Sequence, residues 1–291
     1  LRQYVYRPEE CGLGKWPDGV LRLEGFDVTR TAADADVFVY PGAIHLLGGK
    51  YLRGLPHFTD HADRHVFFHC ADHETLYDVP SIIIRCNTRD WYYKLDTNTI
   101  SWPWPVEDFG AYADASHGFD FDVSFHGWRS SVVRQQSVDA CGQSRALKSD
   151  IAEYPDFYGY FKEGDPEAAR RRRAFLLSME RSRIALCPES ITGVFPYRFF
   201  EAISAARVPM LIGSGYVLPW EGVIPWNEIA IFCPAAEAAR APHVARKFID
   251  THSDEQIIQM GIKGREYWER YLTRDKWPTL MTEAVEMKLT V

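Results

Sequence analysis

The sequence predicts a parallel α/β fold in two halves, and three observations carry that expectation. Short apolar runs bounded by turn residues read as buried strands; ADVFVYPG (35–42), HVFFHCAD (65–72), SIIIRCN (81–87), FDVSFHG (121–127) and RIALCP (183–188) are the clearest. Capped, helix-like stretches stand between the later runs, which is the alternation of a parallel sheet with crossover helices. The chain has 291 residues, 46% hydrophobic and 25% charged, enough for one large domain or two medium ones.

Taken in order, 35–42 is a strand ended by Pro41-Gly42, 65–72 a strand with a polar end, and 81–87 a third strand. TISWPWPVEDF (99–109) carries prolines at 103 and 105 and reads as an extended segment or loop. FDVSFHG is a strand that meets a glycine, and 130–144 a helix with Ser130 or Ser131 as cap. The stretch 142–165 is the most polar and least periodic, and is the expected hinge between the halves. Residues 163–182 form a helix: Asp165 caps it, Pro166 suits the first helical position, and Leu176, Leu177 and Met179 give an apolar face. Arg170 to Arg173 cover every side of that helix, so they read as solvated surface. Then follow a strand (183–188), a helix (192–207), strands at 208–213 and 224–234, and a helical end from about 254. The expected domains are 1–145 and 146–275, with 276–291 as a terminal helix.

Composition narrows the function. A formal net charge of -7 does not suit a general nucleic-acid binder. No apolar run approaches the roughly 20 residues of a membrane span, and a mean hydropathy of -0.28 is that of a soluble globular protein. LRQYVYRPEE shows neither a signal-peptide pattern nor an initiating Met. The six cysteines are scattered without a CxxC, several in strand-like runs, so a zinc ribbon is not expected and a reducing, cytoplasmic setting is the default. Histidines recur at 57, 61, 65, 69 and 73. On a helix that spacing would make a metal stripe, but on a strand it spreads the ligands apart, so no metal site is expected. Asp34 and Asp36 form D-A-D, but they precede a strand and read as turn residues.

The chemistry concentrates in CPESITGVFPYRFFEAISAARVPMLIG, residues 187–213. Its order is strand, loop, helix, strand, and ligands of open parallel sheets gather at the carboxyl ends of strands. The loop PESITG runs into the expected helix, whose free N–H groups would favour a phosphate. Ser190 and Thr192 can cap or donate, and Gly193 allows close backbone approach. Arg198 and Glu201 share one helix face among Tyr, Phe and Ala. Burying them needs a partner. Either they pair with each other, or Arg198 forks onto a diphosphate while Glu201 accepts two ribose hydroxyls. For a general base, Asp72 ends a strand of the first half, with His73 and Glu74 beside it; a loop cap is the other reading of Asp72. Trp102, Trp104 and Trp128 either stack on sugar or base, or fill the core.

The ordered set ADADVFVYP, HVFFHCADH, FHGWRSSVVR, RSRIALCPESITG, RFFEA, ARVPMLI, VLPW and IPW resembles the exostosin family of glycosyltransferases, most specifically over 182–226. The resemblance implies a GT-B fold: two Rossmann-like α/β halves facing a cleft, with the terminal helix packing back on the first. It implies an inverting, metal-independent transfer from a nucleotide sugar, most often a UDP-sugar, to a hydroxyl of a glycan acceptor. The donor is a substrate and no cofactor is implied; a monomer or weak homodimer is expected. By the resemblance, Arg198 and Glu201 map to the nucleotide-contacting pair and Arg134 to the diphosphate arginine. Arg129, Pro188, Ser190, Thr192, Gly193 and Tyr197 complete the donor set. Two positions depart from the family pattern: Glu189 replaces the usual Gly after Pro188, and Ala206-Arg207 replace the small Gly before Val-Pro. A GDP-fucose-dependent fucosyltransferase and a non-catalytic glycan- or nucleotide-binding module are the alternatives.

Overall fold

A computed structural model of the chain describes residues 1–13, 26–45, 47–73, 75–96, 98–114, 118–156 and 164–290. The chain divides into two compact units. Unit 1 is Leu1–Trp104, Gly215–Trp220 and Tyr271–Val291; unit 2 is Pro105–Ser214 and Glu221–Arg270.

Unit 1 is built on a parallel sheet of β1 (Gln3–Val5), β2 (Val28–Thr29), β3 (Val37–Ala43), β4 (His65–His69), β5 (Ile82–Arg85) and β6 (Thr99–Ser101), in the order β2-β1-β3-β4-β5-β6. Every residue of β3, β4 and β5 is buried, as expected of strands covered on both faces. β3 does not stop at Pro41-Gly42, as the turn signal predicts. It continues to Ala43 because the ladder skips there, from Val39 opposite Val66 to Ala43 opposite Phe68, so Pro41 sits where no N–H is required. The helices α1 (Gly49–Arg53), α2 (Phe58–His61) and α3 (Asp90–Leu95) are short.

The five spaced histidines do not converge. His57, His61 and His65 stack around Phe38, with ring centroids 5.5, 5.0 and 5.1 Å from it. His69 and His73 pack together further along, with centroids 5.7 Å apart. Among the described residues no group of three or more His, Cys, Asp or Glu is placed to hold a metal. Burial holds the His65 imidazole down to about 4 and that of His69 to about 3, the Arg85 charge adding to the latter. Both rings are neutral in the fold and charged in the unfolded chain below about pH 6.5. Their contribution is therefore complete above that pH and is lost as pH falls towards 4. Urea midpoints measured from pH 7.5 down to 4.5 should fall, and His65→Gln should flatten the slope by up to about 1.4 kcal/mol per pH unit.

Unit 2 is built on a second parallel sheet: β7 (Phe121–Gly127), β8 (Ser149–Glu153), β9 (Ser182–Pro188), β10 (Val208–Ile212) and β11 (Ile231–Cys233), in the order β11-β10-β9-β7-β8. The helices are α4 (Val132–Gln143), α5 (Pro166–Glu180), α6 (Arg198–Ser204), α7 (Ala241–Thr251) and α8 (Asp254–Tyr267); a π turn, Trp268–Leu272, leads towards α9 (Trp277–Thr290). Ser131 caps α4 by accepting from the Arg134 N–H, and Asp165 caps α5 by accepting from the N–H groups of Glu167 and Ala168. The core gathers Val123, Phe125, Ile184, Leu186, Val208, Met210 and Ile212 between the helices. No helix is long and apolar enough, among the described residues, to cross a membrane.

The unit boundary differs from the expected one at 145. It falls at Trp104–Pro105, because β7 pairs with β8 and β9 and so carries 121–143 into the second sheet. The expected hinge, 142–165, instead supplies the edge strand β8; its residues 157–163 lie outside the described set. α9 belongs to unit 1, where Trp277, Leu280, Met281 and Val285 pack with Val37, Val39 and Val66. Trp102 is core, 5.4 Å from Trp220 and 5.8 Å from Trp277 between ring centroids. Trp128 is exposed.

Candidate functional site

In the sheet of unit 2 the chain runs from β7 outward to β8 on one side and from β9 outward to β10 on the other. The strand order reverses between β7 and β9, and the loops leaving their carboxyl ends part there, which makes the binding crevice of an open α/β sheet. The two loops are 128–131, before α4, and 189–197, before α6. Every donor-binding residue predicted from the sequence lies on them or at their borders.

Arg134, in the first turn of α4, ties the loops together. Its Nε donates to Pro188 O at 3.2 Å, and its Nη1 to Trp128 O and the Ser130 hydroxyl, both at 3.1 Å. The Ser130 hydroxyl lies 3.0 Å from that of Ser190, and Ser131 Oγ donates to Glu189 O at 2.7 Å. Arg134 is thus a brace that leaves its charge at the loop junction, with Nε and Nη1 already committed to protein oxygens. Arg129 turns away to the carboxylates of Asp139 and Glu153, so its charge is neutralised outside the cluster.

The loop before α6 is not the helix the sequence predicts from 192. Thr192 and Gly193 have φ of 56° and 75°, and Pro196 follows, so α6 begins only at Arg198, with Tyr197 as its cap. Gly193 is therefore part of a turn, its N–H donating to Ser190 O at 3.1 Å, and does not sit at a helix N-terminus. The helix N-terminus expected at Gly193 is therefore not formed there.

Arg198 and Glu201 do not pair with each other. The Arg198 Nη2 donates to His126 O at 2.6 Å, and the guanidinium lies over Phe125 (4.3 Å) and Phe175 (5.1 Å). A Cβ on Gly127 would lie 2.7 Å from that Nη2, so the glycine ending β7 makes room for the arginine. Nε and Nη1 of Arg198 have no hydrogen-bond partner among the described residues. Glu201 is only 4% exposed. Burial raises its carboxyl to about 7, against the pull of the Arg198 and Arg172 charges. Burial also holds the neighbouring Tyr197 phenol well above its ordinary value.

Arg172 was hidden by its place in a run of four. Arg170 and Arg171 pair with Glu167 on the surface, whereas Arg172 pairs with Glu107 and lies over the Phe109 ring at 5.0 Å, near enough for its charge to act on Glu201. Ser130 and the His126 carbonyl are also site groups that the sequence does not single out. A strand ending in Gly next to a Ser-Ser helix start is the only signal for them.

Asp72 and His73 follow β4 in unit 1 and are exposed. Buried His69 holds their segment: its Nε2 donates to His73 O at 2.7 Å, which leaves Nδ1 to accept from the Tyr77 hydroxyl at 2.9 Å. Glu74 lies outside the described residues.

Parts of this chain are similar to known proteins. Residues 124–248 match the Exostosin GT47 domain. The exostosin-like segment thus spans β7 to α7 and holds all the donor-side residues above. Exostosin-1 of Drosophila melanogaster is 31% identical over 75 residues, 26% of this chain and 9% of that protein. Exostosin-1 of Bos taurus is 31% identical over 77 residues, 26% of this chain and 10% of that protein. The match therefore covers about a tenth of the length of these relatives. Among solved structures, Anabaena HepE, in complex with UDP and glucose, superposes with a TM-score of 0.51 at 10% identity, over 87% of this chain and 78% of that one. A glycosyltransferase from Rickettsia africae gives 0.50 at 9% identity, over 88% and 78%. The fold is of the GT-B type, with two Rossmann-like α/β units.

Proposed function

We propose that the chain is an inverting glycosyltransferase that moves a sugar from a UDP-sugar to a hydroxyl of a glycan acceptor, without a metal ion or other cofactor. The observation that carries the reading is the pair of Glu201, a buried carboxylate at the crevice of a parallel sheet, and Arg198, one helical turn away, whose Nε and Nη1 are buried without a hydrogen-bond partner among the described residues. Vicinal ribose hydroxyls would donate to the Glu201 carboxylate, and a diphosphate would accept from Arg198 Nε and Nη1. The exostosin-like segment covers the same residues, and the Anabaena structure with a similar fold contains UDP.

In this reading a base takes the proton from the acceptor hydroxyl as its oxygen attacks the anomeric carbon, and the nucleoside diphosphate leaves with the bonding electrons. Arg198 and the braced charge of Arg134 stabilise the departing diphosphate. Asp72, just beyond the carboxyl end of β4, is our candidate for the base.

UDP should raise the melting temperature, equally with and without magnesium, and GDP, CDP and dTDP should do so less. A shift with GDP alone would replace this reading by the fucosyltransferase one. No shift with any nucleotide would remove the donor site. Asp72→Asn should lower the transfer rate by at least about a hundredfold while the UDP-induced shift survives. Transfer near the wild-type rate would take the base role from Asp72.

A further inference from the structure

The six cysteines are all unpaired thiols, but two of them are not independent. Cys70 follows β4 and Cys86 follows β5, next to the paired residues His69 and Arg85 at the carboxyl ends of those strands. The ladder reaches one step further, with the Cys86 N–H donating to His69 O at 3.3 Å. The two Sγ atoms lie 2.7 Å apart, inside normal non-bonded contact and close to bonding distance. Cys86 is buried and Cys70 is partly open to solvent, so one thiol can meet a reagent and the other can resolve the product.

We propose that Cys70 and Cys86 are a redox pair whose disulfide clips the ends of β4 and β5 at the root of the segment carrying Asp72 and His73. The chemistry needs a disulfide oxidant such as oxidised glutathione. The Cys70 thiolate attacks one sulfur of the oxidant and expels the other as a thiolate. The Cys86 thiol gives up its proton, attacks Cys70 Sγ in the mixed disulfide, and expels the second thiolate. Two protein thiols lose two electrons and two protons, and one small-molecule disulfide becomes two thiols. Burial holds the Cys86 thiol well above its ordinary value, so the first attack falls to the more open Cys70. In the reduced protein the segment is held by the hydrogen bond from His69 to His73 O; in the oxidised protein it also starts from a covalent anchor.

Trypsin cuts after Arg64, Arg85 and Arg89, so the two cysteines leave on separate peptides, 65–85 and 86–89. After treatment with oxidised glutathione and alkylation of remaining thiols, mass spectrometry should find these peptides linked, and dithiothreitol should separate them. Cys70→Ser should abolish the link, and Cys86→Ser should leave glutathione on Cys70. Amide exchange in the segment after β4 should slow on oxidation of the unaltered protein. Recovery of both peptides as alkylated thiols after oxidation would overturn the proposal, and so would a linked peptide 86–89 in Cys70→Ser. Unchanged amide exchange in a fully linked sample would overturn the clip. The peptide map of the unaltered protein decides the pairing even if a variant fails to fold.

Discussion

Glu201→Gln should stabilise the free protein at pH 8 and at the same time abolish its stabilisation by UDP. The two effects have one cause. The folded carboxyl is raised to about 7, while in the unfolded chain it titrates near 4.5. The neutral form's contribution is fully present below 4.5, and it is lost as pH rises through 7. Above that, the free protein carries a buried charge at a cost on the order of 3–4 kcal/mol, from about 1.4 kcal/mol per pKa unit. Glutamine keeps the shape and removes the charge, so the variant should melt higher than the unaltered protein at pH 8 and level with it at pH 4.5. Ribose hydroxyls donate, and a carboxylate offers two acceptor oxygens where an amide offers one and a competing donor. Losing hydrogen bonds to a charged acceptor, each contributing about 1.5–3 kcal/mol, should weaken UDP by at least about tenfold. UDP affinity of the unaltered protein should rise between pH 6 and 8 as the carboxylate forms. A Glu201→Gln protein that binds UDP as before would show that the carboxyl is a core residue, and the donor reading would lose its main support.

Glu201 was legible as a candidate site residue because its charge interrupts an apolar stretch, and a charge there demands a partner. Its true setting was not legible. The run from Thr192 to Arg207 has helical composition, and the left-handed turn at Thr192 and Gly193 that delays the helix to Arg198 follows from tertiary contacts with the neighbouring loop. The central strands were readable because burial on both faces makes them uniformly apolar. The edge strands β2 and β8 were not, since VT and SDIAE are short, polar and half exposed. The unit boundary was misplaced for a related reason. Polar, aperiodic residues near 150 look like a linker, whereas the real crossing at Trp104–Pro105 lies in an aromatic, proline-rich stretch of which Trp102 is fully core. Asp72 is a candidate because of its place at a strand end, but nothing in the sequence pairs Cys70 with Cys86. That pairing needs the parallel register of β4 and β5.

Gly261→Ala should be among the most destabilising single substitutions in unit 2, and Gly264→Ala, three residues along the same helix, should be harmless. A Cβ on Gly261 would lie 2.2 Å from Ala206 O and 2.9 Å from Ala206 C. Both are backbone atoms, so no side chain can rotate aside. At Gly264 the nearest atoms are Ile203 Cγ2 at 3.7 Å and Ile229 Cβ at 3.8 Å, which is ordinary contact. Helix propensity alone would favour both substitutions by about 1 kcal/mol, so opposite outcomes isolate the steric term. The turn that Gly261 meets cannot yield cheaply. Ala206 already has φ of 52°, and the next residue, Arg207, is 3% exposed. Its guanidinium donates to the carbonyls of Glu180 (3.0 Å), Tyr112 (3.2 Å) and Asp114 (2.8 Å). These bonds account for the arginine standing where the family pattern has a small residue: it closes carbonyls that would otherwise be buried without donors. Pushing the turn away breaks several charge-assisted bonds together, so the expected loss is about 3 kcal/mol or more. At that size the melting temperature should fall by roughly 6–12 °C. The same turn ends α6, the helix bearing Arg198 and Glu201, so UDP should protect Gly261→Ala less than the unaltered protein even below the melting range. A Gly261→Ala protein as stable as Gly264→Ala would mean that α8 stands further from the turn, and the account of Arg207 as a carbonyl anchor would fall with it.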